Sequence, residues 1–133
     1  MPERCGFDYA TVRLVPRVER EEFINIGVIV YAPTRAFIGC ALAFERARLA
    51  SFAPGLTEAA LAELERHVQA WQAVCQGDRS GGPIARLSPS ERFHWLVAPR
   101  STSIQTSAVH TGLTEDPAVA LQRLFHTMVA PAA

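Results

Sequence analysis

Three strand-like segments within residues 8–44 limit the fold more than anything else in this chain. "DYATVRLV" (8–15) alternates, with Ala10, Val12 and Leu14 on one face and Tyr9, Thr11, Arg13 and Val15 on the other. A period of two is the mark of a half-buried strand. "FINIGVIVY" (23–31) places Ile24, Ile26, Val28 and Val30 on one apolar face, with Asn25 and Gly27 opposite beside Phe23 and Ile29. "APTR" (32–35) reads as a turn and "AFIGCALAF" (36–44) as the return strand of a hairpin. Strands in this succession, before any long helix, point to antiparallel pairing rather than a βαβ array.

Helical periodicity follows. "ERARLASF" (45–52) fits a short helix. A long one is expected over residues 57–76, with Thr57 as N-cap, Leu61, Leu64, Val68, Trp71 and Cys75 at 3/4 spacing, and Gly77 as the stop. Residues 76–90, "QGDRSGGPIARLSPS", read as a flexible connector. "ERFHWLVA" (91–98) and "SIQTSAVH" (103–110) read as two further strands on either side of Pro99. A last helix starts at Asp116 as N-cap with Pro117 at its first position, and Leu121, Leu124, Phe125 and Met128 form its inward stripe. The expectation is one α+β domain over residues 1–133, a mainly antiparallel sheet of about five strands with two main helices packed on it.

Composition removes several function classes. Formal net charge is zero, so no global field draws the chain to nucleic acid or to an anionic membrane. All thirteen basic residues are arginine, which excludes a P-loop lysine and Schiff-base chemistry. Cys5, Cys40 and Cys75 are odd in number and widely spaced, the pattern of buried free thiols rather than of a disulfide framework or zinc site. His67, His94, His110 and His126 are dispersed, so no metal and no cofactor is expected; His67 and His126 read as solvated. "MPER" is followed by no apolar signal region, and the longest apolar run is too short to span a membrane. A soluble, cytoplasmic chain is expected.

One stretch is dense in hydrogen-bonding groups. After Pro99 come Arg100, Ser101, Thr102, Gln105, Ser107 and His110. A guanidinium fork followed by hydroxyls suits phosphate or carboxylate, although such hydroxyls also satisfy local backbone. Arg13 and Asn25 interrupt apolar strands and read as partners of the same site. In that reading Gly27 makes room for a ligand or a second backbone that Asn25 addresses; the alternative is a β-bulge whose strained turn Asn25 caps. A Ser–His–Asp set would have to use Ser101 or Ser107, His110 and Asp116, but no nucleophile elbow accompanies them, and Asp116 is already explained as a helix cap. Glu22 could pair with Arg13. Trp71 and Trp95 occupy apolar-pattern positions and are assigned to the core.

"YATVRLVP", "EEFINIGVIV" and above all "APRST…Q…S…H.GL..DP" resemble the bacterial domain-of-unknown-function family 3037 over roughly residues 8–129. The resemblance implies motif positions at Arg13, Asn25, Gly27, Pro99, Arg100, Ser101, Thr102, Gln105, Ser107, His110, Gly112 and Asp116. It assigns no activity, and it implies a HipA-like kinase as partner. The residues lead to a binding or accessory module that presents Arg100, Ser101, Thr102, Gln105, Ser107 and His110, with Arg13 and Asn25, to an anion or phosphate. Two alternatives stay open: a small metal-independent phosphoester-processing enzyme using His110, and a structural homodimer without ligand.

Overall fold

The computed structural model describes residues 3–130. Among these, β1 (Cys5–Leu14), β2 (Ile24–Ala32), β3 (Phe37–Leu42), β4 (Ile104–Thr106) and β5 (His110–Thr114) form one antiparallel sheet. The helices are α1 (Arg46–Phe52), α2 (Glu58–Gln76), α3 (Pro89–Val97) and α4 (Pro117–Met128). The order across the sheet is β3-β2-β1, and both β4 and β5 pair with the free side of β1, at residues 12–14 and 5–9 respectively. The α+β class expected from the hairpin-first order is the class observed.

Register explains the layering. Val12 faces Gly27 and Arg13 faces Asn25, so Ile26 is an extra residue in β2. This bulge overturns the single apolar face expected for β2. Ile24 and Ile26 join Ile29 and Tyr31 in a core with α1, α2 and α3, whereas Val28, Val30 and Ala32 lie in a second core under α4. A bulge reverses side-chain parity because the period along a strand is two. β2 is therefore apolar on both faces, and helices cover both. Gly27 makes room for a second backbone: a Cβ there would stand 2.5 Å from the Ala41 carbonyl oxygen and 2.3 Å from a Leu42 methyl carbon.

α2 and α4 form as their sequences require. Thr57 Oγ1 accepts from the Ala60 N–H at 3.1 Å, and Gly77 ends α2 in the left-handed region at φ 68°. Asp116 Oδ1 accepts from the Ala118 N–H at 2.9 Å, Pro117 opens α4, and Leu121, Leu124, Phe125 and Met128 turn inward.

Two expected strands need correction. Residues 91–98, expected as a strand, lie almost wholly in α3. Ser88 and Glu91 form a reciprocal capping box with Pro89 at the first position, and Phe93 and Leu96 turn inward on one helical face. Residues 103–110, expected as one strand, break into β4 and the start of β5, with Ser107 still joined to Thr11 through two hydrogen bonds of 2.9 Å. The connector at 76–90 makes two 3-10 turns, Arg79–Gly81 and Pro83–Arg86, and buries Ala85. Among the described residues no helix is long and apolar enough to cross a membrane.

Two substitutions test this account. Gly27→Ala forces a methyl into the β3 backbone and is expected to destabilise by about 3 kcal/mol, the upper end for overpacking; an unchanged urea midpoint would refute the close approach. Ser88→Ala removes the cap of α3 and is expected to cost about 1 kcal/mol in the same assay. No loss would mean that α3 does not depend on its capping box.

Candidate functional site

A cleft of about 410 Å³ lies between α2, α3 and the chain that leads from α3 into β4. Its floor is apolar: Trp71 and Val74 of α2 and Ile104 of β4 are all core residues. Its rim is polar, formed by His67 of α2 with Arg100, Thr102 and Ser103 of the linking segment. Trp95 completes one wall. Helical register puts it there, because Phe93 and Leu96 point inward and leave Trp95 on the outer face, 40% exposed.

Three hydrogen bonds fix the rim. The Val15 N–H donates to the Ser103 carbonyl at 2.7 Å, the Gln105 amide to the Thr102 carbonyl at 2.9 Å, and the Thr102 hydroxyl to the Ile104 carbonyl at 2.9 Å. His67 Nδ1 lies 3.0 Å from Ser103 Oγ, which ties α2 to the segment across the cleft. The Arg100 guanidinium stacks on the Trp95 indole at 4.4 Å and donates to the Trp95 carbonyl. Burial lowers its pKa from the ordinary arginine value, yet a guanidinium remains charged at neutral pH. Among the described residues no carboxylate forms an ion pair with it.

The residues expected to share one site are divided by the sheet. Arg100 and Thr102 line the cleft on the α2 side, with Ser101 exposed beside them. Arg13 lies between Asn25 and Gln105 in register, and the three form a row on the opposite face. There Arg13 stacks on Phe23 at 4.1 Å, and the Asn25 amide reaches the Met128 carbonyl at the end of α4 at 3.5 Å. Arg13 Nε and Asn25 Oδ1 are buried without a partner among the described residues. Ser107 sits beside Thr11, and His110 packs on the Tyr9 ring at 5.4 Å. Side chains alternate across a strand, so Arg13 and Gln105 face away from their neighbours Leu14 and Ile104. Glu22 pairs with Arg20 instead of Arg13.

Other chemistry finds no matching geometry. Asp116 is occupied as a helix cap, and the Ser107 hydroxyl donates to its neighbouring carbonyl and accepts from Thr11, so no Ser–His–Asp array forms. Among the described residues no three His, Cys, Asp or Glu side chains converge. Cys5 and Cys75 are buried free thiols, whereas Cys40 is half-buried. A hydrogen bond with Cys40 and then burial push the Cys75 thiol far up, so it stays protonated. A second hollow, of about 420 Å³, lies at the other end of β1 among Gly6, Asp8, Thr111 and Leu113, and its only charged side chain is an acid.

Sequence reasoning missed His67, Ser103 and Trp95. Trp95 was assigned to the core because residues 91–98 read as a strand. The signal that would have placed it is "SPSE" at 88–91, a capping box with an N1 proline, which starts a helix and fixes its register. Trp71 is core, as expected, and also forms the cleft floor.

No curated protein and no solved structure matches the chain. Residues 9–129 match the family described as "Protein of unknown function (DUF3037)". The match takes in the cleft, the polar row behind it and all of both cores except Cys5 and Phe7, and the chain belongs to this family.

Proposed function

We propose that this protein is a cytoplasmic binding module whose cleft between α2 and α3 takes an anionic group at Arg100. One observation carries the reading: a partly desolvated guanidinium, stacked on an exposed indole and without a carboxylate partner among the described residues, stands at the lip of an apolar cleft. Among the described residues the guanidinium meets a π face and a carbonyl, which leaves other N–H donors of the fork for an incoming anion. Thr102, Ser103 and His67 add hydrogen-bonding groups around the same rim.

Ser101 flanks this rim, whereas Arg13, Asn25, Gln105, Ser107 and His110 support it from behind or lie apart. A phosphorylated segment of a HipA-like kinase, the partner that the family resemblance implies, is one carrier of such an anion. The enzyme reading loses ground, because His110 packs on Tyr9 at the far face and cannot act on a group held by Arg100.

Titration calorimetry with inorganic phosphate and pyrophosphate tests the proposal. Saturable binding to the wild type is expected, with a Kd at least about tenfold weaker in Arg100→Ala, as fits the loss of one charge-assisted contact. Equal affinity in the two proteins, or no saturation in either, overturns it.

A further inference from the structure

We propose that the ligand of this cleft carries a flat aromatic ring joined to its anionic group, a reading that rests on the anion site just described. The argument begins with the two tryptophans, which are the only two in the chain and both line this one cleft. Trp71 belongs to the floor and is explained by the core it seals. Trp95 is not so explained. It lies on the outer face of α3 with 40% of its surface exposed, and the Arg100 guanidinium lies over one face of its indole. A planar guanidinium held flat on an indole offers its own outer face to another ring.

The remaining lining agrees. Ala70, Val74 and Ile104 supply apolar contact without charge, and the polar groups, His67, Thr102, Ser103 and Arg100, lie along the rim. A ring held between the Trp95–Arg100 wall and this floor would thus keep an attached phosphate or carboxylate beside Arg100. The volume of about 410 Å³ falls within the range of about 300–1,000 Å³ usual for small-ligand sites. It exceeds what a bare anion fills and suits a mononucleotide. A nucleoside monophosphate and a simple aryl phosphate share this chemistry, and the arms of the test separate them.

Because both tryptophans line the cleft, intrinsic emission of the whole protein reports on it directly. Emission titrations should compare adenosine 5′-monophosphate, phenyl phosphate, adenosine, inorganic phosphate and octanoate. The monophosphate is expected to bind at least about tenfold more tightly than inorganic phosphate, in line with the worth of one base stacked on an aromatic side chain. Adenosine is expected to be weaker than the monophosphate. Phenyl phosphate equal to the monophosphate supports the ring and identifies an aryl source.

Trp95→Leu, at an exposed helical position, should retain the far-UV dichroism of the wild type and reduce the preference for the monophosphate over phosphate to about unity. Equal affinity for the monophosphate and inorganic phosphate, both lost in Arg100→Ala, overturns the ring and leaves the anion reading intact. Octanoate binding as tightly as the monophosphate also overturns the ring. If no compound binds, both readings fall. If adenosine and its monophosphate bind equally while phosphate does not bind, the anion reading falls, and with it the ligand proposed here.

Discussion

Because Ile26 and Gly27 together oppose Val12, β2 turns over partway along its length and sends apolar side chains to both sides of the sheet. A strand apolar on both faces must be covered on both. The chain does this with α1, α2 and α3 on one face and α4 on the other. The glycine is essential to this arrangement, since β3 passes so close that even a methyl would meet its backbone. Once α2 and α3 share a face, the segment from Pro99 to Ile104 has to bridge from the end of α3 to the edge of β1. The cleft is the space this bridge encloses against α2. Arg100 is carried on this bridge, on the sheet face that α2 and α3 cover.

What could be read in the sequence follows the same physics. The faces of β1 were legible because Ala10, Val12 and Leu14 alternate with polar neighbours, and a period of two has one interpretation. β2 was not, because Ile26, Val28, Ile29 and Val30 are apolar at both parities, so hydrophobic alternation alone does not show where it shifts. Asn25 and Gly27 marked the irregularity, and the bulge alternative weighed for them is the observed structure. α2 and α4 were legible from caps and 3/4 spacing over several turns. α3 has only nine residues rich in aromatic and β-favouring types, and over so short a span strand and helix periods are hard to separate without the cap.

The polar site was half legible for a related reason. Residue types alone singled out Arg100 and Thr102, and both line the cleft. They could not reveal that Arg13, Asn25 and Gln105 form a separate row, because that depends on strand register, which local sequence leaves open. Nor could they reveal His67, whose place opposite Ser103 depends on how α2 lies over the sheet.

The two polar clusters nevertheless touch through β4. Gln105 belongs to the row behind the sheet by register, yet its amide holds the Thr102 carbonyl at the rim of the cleft. Ile104 between them is buried on the cleft side and forms part of its floor. Within four residues, Thr102 to Gln105, the chain entering β4 therefore carries the rim, an apolar floor and a polar bracket. Such a bracket matters for an arginine in Arg100's setting. A long side chain on a loose segment would swing into water and regain its hydration, whereas a fixed backbone with an indole beneath keeps the guanidinium partly desolvated. Lysine would serve poorly here, since a buried ammonium loses its charge more readily and has no flat face to stack. The arrangement keeps a cation in place at an apolar surface through its own stacking and carbonyl contacts.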